Sequence, residues 1–421
     1  MREFFDNGVK KYSKSVGIQF GRLFKWTGLG ILMGVIMGLV GFAFLYCIGQ
    51  ATGLRTQNEW LIFLLPLGGI LIAALYHLFK NDGDQGTNVV LTALQSKDSV
   101  PVRIAPLIFI GTVITHLFGG SAGREGAAIQ LGGSIGNGVS RLIKMDADDK
   151  NIMTMCGMSA AFSALFGTPL AAAVFSMEVV SVGVMQYSAL VPCIVSAFVS
   201  KGLVSLFGVG IDNYQMSGLP SFGIESALKI GLLAVLCAGV SVLFCIMLTQ
   251  SERLYKKLFT NAYLRAAVGG GIIILLTLAV GNTDYNGLGK DVIRSAIEGD
   301  ALPYAFALKM VFTALTIGAG FKGGEIIPSI FIGATFGCTF GQLLGISPTL
   351  CAAVGVGAVF CGVTNSPITS LLICFELFGF SAMPFFAIAV AISYMLSGYF
   401  GLYRSQRFIY SKYKTSYLKK D

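Results

Sequence analysis

Eleven long apolar stretches, joined by short polar loops, restrict this chain to very few folds. Several of them reach the ~20 residues that a helix needs to cross a bilayer. The chain has 54% hydrophobic and 12% charged residues, roughly half the charged share of a soluble globular protein. The sequence therefore predicts an all-α polytopic membrane protein. The stretches cover residues 27–50, 59–79, 103–118, 151–183, 186–208, 225–249, 264–281, 303–318, 326–345, 349–362 and 367–402.

Several of these stretches are short or interrupted by Gly and Pro. Non-helical backbone at membrane depth leaves N–H and C=O groups unpaired, so it survives only where protein or a water-filled cavity covers it. In transporters, such a cavity usually holds the substrate. The 54 glycines among 421 residues are nearly twice the usual share of about 7% and are typical of closely packed membrane helices. We therefore expect a solute pathway between broken helices.

Basic residues are concentrated at the two ends of the chain. Short segments rich in Lys and Arg stay on the cytoplasmic side of a membrane, so we expect a multi-pass protein of the cell membrane with both termini cytoplasmic. Residues 1–25 are predicted to be a retained cytoplasmic leader, because no small-residue cleavage site follows them. Residues 406–421 are predicted to be a cytoplasmic tail. The basic residues are Arg2, Lys10, Lys11, Lys14, Arg22, Lys25, Arg404, Arg407, Lys412, Lys414, Lys419 and Lys420.

The composition also argues against several function classes. The net charge of +9 is explained by the membrane topology and by the attraction of basic residues to anionic lipid headgroups. The sequence has no basic patch interleaved with aromatic residues that would predict nucleic-acid binding. The nine cysteines stand singly in apolar segments, so we expect buried thiols and neither metal nor cofactor. An intramembrane enzyme needs a nucleophile beside a base. His116 and Ser121 do not form such a motif, and we expect no enzymatic activity.

Two pairs of segments indicate an internal duplication. Residues 157–179 align without gaps on residues 355–377, at an offset of 198 residues, and residues 119–136 align on residues 320–337, at an offset of 201 residues. Two ordered matches at nearly the same offset argue against chance similarity of Gly-rich segments. We predict inverted repeats, with a first repeat over 26–215 and a second over 216–405, the boundary falling near 205–225. The identical pairs include Gly157/Gly355, Phe162/Phe360, Pro169/Pro367, Glu178/Glu376, Gly123/Gly324 and Gly132/Gly333.

Few ionisable residues lie inside apolar runs. Each costs ~2.5–3.5 kcal/mol or more at the bilayer centre, so a function is the first hypothesis for all of them. Glu178 and Glu376, nine residues after their prolines, end their predicted helices, and a helix-terminal carboxylate is more often structural. The full set is Arg124, Glu125, Glu178, Lys309, Lys322, Glu325 and Glu376.

Glycine-rich loops precede two of the predicted helices. Residues 119–127 and 320–328 each lead into an apolar run, and the start of a helix presents unpaired N–H groups and about +0.5 of dipole charge. Such an end attracts anions. Thr168-Pro169 and Ser366-Pro367 predict two further helix starts, with the hydroxyls as N-caps. Four helix starts would then surround one anion; the alternative is four breaks that serve packing only.

These residues resemble those of the CLC family of chloride channels and anion/proton antiporters. The resemblance rests on Gly-Arg-Glu-Gly at 123–126, Gly-Gly-x-x-x-Pro at 323–328 and Leu402-Tyr403, and it extends over about residues 25–407. It implies a homodimer of inverted-repeat subunits in the lipid bilayer, each with its own halide pathway. It also implies that Glu125 is the gating glutamate, which carries a proton.

The resemblance further implies an anion site. Tyr403 matches the tyrosine whose hydroxyl contacts the central anion, and the N–H groups of Glu325 and Ile326 match those of the second Gly-rich loop. Gly123 and Gly324 of the two loops are also predicted to bind the anion. The family's Gly-Ser-Gly-x-Pro motif has only a weak counterpart in residues 85–89, which suggests Thr87 as the inner coordinating residue.

Departures from the chloride pattern favour fluoride. Chloride/proton antiporters have a glutamate where this chain has Val179, whereas a carboxylate, Glu325, stands inside the second loop, and Ala127 replaces the usual proline after Gly126. These features resemble the fluoride-exporting bacterial branch. We expect fluoride/proton antiport, with Glu325 as a second acid; the alternative is a chloride channel or chloride/proton exchanger. Burial raises the pKa of a carboxyl group, so either acid can exchange protons near neutral pH.

Overall fold

The computed structural model describes residues 2–81, 83–96, 98–208, 214, 216 and 219–418, with side chains from residue 16 onward. This part of the chain forms sixteen α-helices and two strands of two residues each. The helices of the first half are α1 (Arg2–Gln57), α2 (Leu65–Leu78), α3 (Asn88–Ser96), α4 (Ile104–Leu117), α5 (Glu125–Leu142), α6 (Ala147–Phe166), α7 (Pro169–Glu178) and α8 (Leu190–Leu206). Those of the second half are α9 (Ile224–Leu258), α10 (Ala262–Val280), α11 (Lys290–Glu298), α12 (Ala305–Gly318), α13 (Ile326–Leu344), α14 (Pro348–Thr364), α15 (Pro367–Phe378) and α16 (Met383–Leu396).

The predicted all-α membrane architecture is confirmed. Within the described residues, six helical segments are long and apolar enough to cross a bilayer, and six further apolar helices have only 10–17 residues. The short helices agree with the predicted broken spans. The predicted leader, residues 1–25, is continuous with the first membrane helix, because α1 runs unbroken from Arg2 to Gln57. The six long segments are Val16–Gln57, Glu59–Leu78, Tyr187–Leu206, Ile224–Leu258, Ala262–Val280 and Ile326–Leu344.

The order of helices in the first half is repeated in the second. Helix α5 packs on α6 as α13 packs on α14, and α1 packs on α8 as α9 packs on α16. The two halves meet where α2 packs on α10 and α7 packs on α15. The division at 215/216 stays a prediction, since residue 215 lies outside the described residues.

Close glycine contacts join the paired helices in both halves. A Cβ atom on Gly132 of α5 would lie 2.1 Å from the carbonyl oxygen of Gly157 in α6, and one on Gly333 of α13 would lie 2.4 Å from that of Gly355 in α14. No side chain fits at such distances, so glycine lets the helix backbones touch. The duplicated glycines thus make the same contact twice.

The duplicated glutamates connect the two halves by capping each other's helices. Glu178 accepts hydrogen bonds from the N–H groups of Ile368 and Thr369 at 3.1 and 2.9 Å, at the start of α15. Glu376 accepts hydrogen bonds from the N–H groups of Leu170 and Ala171 at 3.1 and 2.9 Å, at the start of α7. Two unpaired helix starts are thereby satisfied by negative charge.

This arrangement corrects one prediction and confirms another. The hydroxyls of Thr168 and Ser366 make no capping hydrogen bond, because the glutamates of the opposite half already occupy both helix starts. The structural interpretation of Glu178 and Glu376 is confirmed, although α15 continues two residues beyond Glu376.

The segment after α16 folds back onto the end of the first half. Strand β1 (Ser181–Val182) pairs in parallel with β2 (Arg407–Phe408). Next to this pair, the Gln406 side-chain amide donates hydrogen bonds to the carbonyl groups of Val179 and Thr364 at 3.0 and 2.9 Å. These contacts fix the loop that carries Tyr403.

Candidate anion and proton site

The two Gly-rich loops meet at the centre of the molecule. The N–H group of Gly123 donates to the carbonyl oxygen of Gly324 at 2.6 Å, and the N–H group of Gly324 donates to that of Gly123 at 2.8 Å. A Cβ atom on Gly324 would lie 2.4 Å from the backbone nitrogen of Gly126, so glycine is required. Helices α5 and α13 therefore start from one shared point.

The reciprocal pairing gives Gly123 and Gly324 a structural role. Each N–H group donates to the other loop, so the two glycines hold the helix starts together. Their contact with the anion stays a prediction. Ile326, the first residue of α13, is fully buried, and the first N–H groups of a helix have no partner within the helix, so its contact with the anion also stays a prediction.

Glu125 is the first residue of α5 and is fully buried. Its carboxylate turns back toward Arg124: the Arg124 N–H group donates to Oε2 at 3.1 Å and the guanidinium Nε to Oε1 at 3.3 Å. Arg124 is held in turn by the carbonyl oxygen of Leu165 at 2.9 Å. These contacts fix the direction in which the Glu125 carboxylate points.

Glu325 and Thr87 both lie beside Gly126. Measured from the position that a Cβ atom on Gly126 would occupy, Glu325 Oε2 lies at 3.3 Å and Thr87 Oγ1 at 3.6 Å. The Thr87 hydroxyl donates to the carbonyl oxygen of Gly126 at 3.2 Å. The Thr87 hydroxyl therefore lies beside both Gly-rich loops, and its contact with the anion stays a prediction.

Tyr403 carries a buried hydroxyl group without a hydrogen-bond partner among the described residues. Its side chain is only 4% exposed. A buried polar group left unpaired costs about 1–3 kcal/mol. A ligand that accepts a hydrogen bond at this point would remove that cost.

A cavity of about 750 Å³ is lined by Leu402 and Arg404, the two neighbours of Tyr403 in the chain. Thr87, Glu325 and Leu402 line it, together with four basic and two further acidic residues. A separate cavity of about 100 Å³ is lined by Arg124 and Leu165, beside Glu125. Glu325 thus lines the large cavity, and Arg124, the partner of Glu125, lines the small one. The charged lining residues of the large cavity are Lys256, Arg265, Lys322, Arg404, Asp84 and Glu252.

The set of helix starts differs from the predicted four. Helices α7 and α15 do not contribute, because Glu376 and Glu178 cap them. The site is built from α5, α13 and the start of α3, which follows Thr87. The sequence did not predict that α7 and α15 are capped in this way, because the duplicated glutamates and the duplicated prolines were interpreted separately.

Residues that fix the Tyr403 loop were also missed. Arg404 Nη2 lies 2.5 Å from Glu252 Oε2 on α9. On the other side, Asn88 Oδ1 accepts hydrogen bonds from the N–H group and the hydroxyl group of Ser405 at 3.0 and 2.9 Å. Asn88 and Ser405 are 317 residues apart, and no local pattern indicates this pairing.

Another buried charge has a structural partner. Lys309, fully buried in α12, donates to the carbonyl oxygens of Tyr285 and Gly287 at 3.1 and 2.8 Å. It fastens the loop between α10 and α11.

Comparison with known proteins decides the family. Residues 68–398 match the model of the voltage gated chloride channel family. The chain belongs to this family. The CLC resemblance that the loops indicate is thereby confirmed.

Members of the CLC family with related sequences and folds support this assignment. A chloride/fluoride channel protein of Pseudomonas syringae pv. tomato is 35% identical over 396 residues, 92% of this chain and 88% of that protein. An H⁺/Cl⁻ exchange transporter of Vibrio cholerae is 27% identical over 385 residues, 83% of this chain and 81% of that protein. The crystal structure of a CLC-type fluoride/proton antiporter superimposes with a TM-score of 0.88 at 31% identity, covering 92% of this chain and 98% of that one.

Proposed function

We propose that this protein is a fluoride/proton antiporter that exports fluoride from the cytoplasm. The observation that carries the proposal is the pair of carboxylates, Glu125 and Glu325, at two helix starts joined through Gly123 and Gly324. The buried Tyr403 hydroxyl, which has no partner among the described residues, supports an anion site. The CLC-type fluoride/proton antiporter of known structure that superimposes on this chain agrees with this chemistry.

The coupling follows from electrostatic repulsion. An anion about 4 Å from an ionised carboxylate is repelled by about 4 kcal/mol at an effective dielectric constant of about 20. Protonation of Glu125 removes that repulsion and also weakens its ion pair with Arg124 at 3.3 Å. The carboxyl group then leaves the anion route, and the anion moves. Each transport cycle thereby moves a proton against an anion.

Glu325 supplies the second acid. Val179, which occupies the place of the inner glutamate in chloride/proton antiporters, is fully buried and cannot titrate. Glu325 instead lines the cavity of about 750 Å³, so water in that cavity can exchange its proton directly. The anion and the proton would then share one entrance.

Chloride transport is the second candidate. The Vibrio cholerae relative is named an H⁺/Cl⁻ exchange transporter, and the Pseudomonas relative is named for both halides. Purified protein in liposomes separates the candidates. Fluoride efflux with internal acidification supports the proposal, whereas equal or faster chloride flux supports the second candidate.

The remaining expectations concern topology and assembly. We propose a multi-pass homodimer of the cell membrane with both termini cytoplasmic and no enzymatic step. Lys25, just before the most apolar part of α1, pairs with Asp149 of α6 at 2.5 Å, so the Lys and Arg residues of 22–25 and of 141–150 lie on one side. The positive-inside rule assigns that side to the cytoplasm. Scanning cysteine accessibility from each side of the membrane tests the orientation, and cross-linking in bilayers tests the dimer.

A further inference from the structure

One ion pair joins two loops at the large cavity. Lys322 Nζ lies 2.7 Å from Asp84 Oδ2. Asp84 belongs to the loop before α3, which carries Thr87, and Lys322 belongs to the loop before α13, which carries Glu325. Their side chains are 3% and 19% exposed, and both line the cavity. An anion that travels from the cavity to Thr87 therefore passes close to this pair.

The surroundings hold Lys322 in one position. Its ammonium group lies 4.1 Å from the centre of the Tyr76 ring, a favourable cation–π distance. The backbone N–H group of Lys322 donates to Thr115 Oγ1 at 3.2 Å. A Cβ atom on Gly111 would lie 2.9 Å from Lys322 Cγ, so the glycine provides room for the aliphatic chain. The ammonium group is thereby directed at Asp84.

Asp84 depends on this one cation. Its Oδ1 atom is buried without a partner in the part of the chain that the structure describes, and Oδ2 is bound by Lys322. Glu252, the other acid of the cavity besides Glu325, contacts two cations, Lys256 at 2.6 Å and Arg404 at 2.5 Å. Removal of one cation therefore leaves Glu252 paired but would leave Asp84 as an unpaired, nearly buried carboxylate, which is a costly state.

We propose that Lys322 neutralises Asp84 so that anions can enter the pathway, and that the pair acts as a charge filter at this entrance. The inference rests on the proposed function in one respect, because it assumes that the transported anion passes through the large cavity. An unpaired carboxylate at the entrance repels a halide ion.

The test is a double-mutant cycle in proteoliposomes. Lys322→Met, Asp84→Asn and the double variant are compared for the fluoride concentration dependence of the initial flux, with a thermal melt of each purified protein. Lys256→Met is the matched control, because it removes a lysine of the same cavity whose acid keeps a second cation. A charge-swapped protein, Asp84→Lys with Lys322→Asp, covers the case in which a single variant fails to fold.

The expected change in KM depends on which charge of the pair is removed. Lys322→Met should raise KM for fluoride at least tenfold, Asp84→Asn should leave KM within threefold of the parent protein, and the double variant should recover most of the loss. Lys256→Met should stay within threefold. A double variant as impaired as Lys322→Met, an unchanged KM in Lys322→Met, or a charge-swapped protein that folds but shows no flux would overturn the charge filter.

The outcome is separable from that of the proposed function. If the parent protein carries chloride and not fluoride, fluoride/proton antiport is refuted, and the same cycle is measured with chloride. Rescue by the double variant then still supports the filter, whereas loss of rescue with intact fluoride antiport refutes the filter alone.

Discussion

Replacing Tyr403 by Phe removes one oxygen atom from the centre of the site and leaves the ring in place. The hydroxyl group is buried, and no partner for it lies among the described residues. In the anion-free protein the change therefore removes an unpaired polar group, and the stability should stay the same or rise by about 1 kcal/mol. With anion bound, the change removes a hydrogen bond to a charged ligand, worth about 1.5–3 kcal/mol.

These two effects have opposite signs, which makes the prediction sharp. A loss of 1.5–3 kcal/mol corresponds to a roughly 10- to 150-fold weaker anion affinity, since each 1.4 kcal/mol is a factor of ten. A ligand that binds only the native state raises the melting temperature with its concentration. Tyr403→Phe should therefore melt at or above the parent temperature without fluoride and need at least tenfold more fluoride for the same upward shift.

The assay is a melt of detergent-solubilised protein over a fluoride series at constant ionic strength. Tyr399→Phe is the matched control, since Tyr399 is 43% exposed and its hydroxyl lies 3.3 Å from Ser411, away from the site. The same fluoride dependence in Tyr403→Phe and the parent would remove the hydroxyl from the anion site. A large drop in the anion-free melting temperature would show that the hydroxyl has a structural partner.

Three further substitutions test other parts of the account. Glu125→Gln should abolish proton coupling, because an amide cannot exchange the proton; internal acidification at the parent rate during fluoride efflux would exclude Glu125 as the carrier. Glu325→Gln should halt exchange while the melting temperature stays near that of the parent; a stable variant with parent flux and coupling would leave Glu325 as a first-turn acid worth ~0.3–1 kcal/mol and favour chloride. Glu178→Ala should destabilise the protein by about 1–3 kcal/mol for each N–H group of α15 left unpaired, which is measured as a lower melting temperature. Glu225→Ala, at the exposed start of α9, is the control and should not change the melting temperature. Equal melting temperatures for the two variants would refute the capping of α15 by Glu178.

The repeated architecture was predictable because its physical causes are local. Apolar length predicts a membrane helix, and a glycine placed at the same position in both halves, such as Gly132 and Gly333, predicts the same backbone contact. The loops before α5 and α13 were recognisable for the same reason, since a run of glycines before an apolar segment already indicates a turn into a helix.

The contacts across the two halves were not predictable in the same way. Glu178 binds the start of α15 about 190 residues further along the chain, and its carboxylate looks like any helix-terminal acid in the sequence. The reciprocal hydrogen bonds between Gly123 and Gly324 were not predicted, because they depend on the register between the two loops. Register is a property of the packed halves, so one sequence does not reveal it.

The Asp84–Lys322 pair shows the same limit at the entrance. Lys322 stood out as a charge within an apolar region, but Asp84 lies in an ordinary polar loop that precedes α3 by a few residues. Only the packing of α2, α4 and the second Gly-rich loop brings the two side chains to 2.7 Å. The electrostatic environment of the pathway is thus a tertiary property, whereas its acids are visible in the sequence.

Fluoride-driven proton movement is the most direct test of the central claim. Purified protein is reconstituted into liposomes loaded with fluoride, and efflux is recorded with a fluoride electrode while a trapped dye reports the internal pH. Antiport predicts that an outward fluoride gradient drives protons inward, that the internal pH falls in proportion to fluoride lost, and that chloride-loaded vesicles respond much more weakly. Fluoride efflux without any change of internal pH, or chloride efflux at an equal rate, would contradict the account.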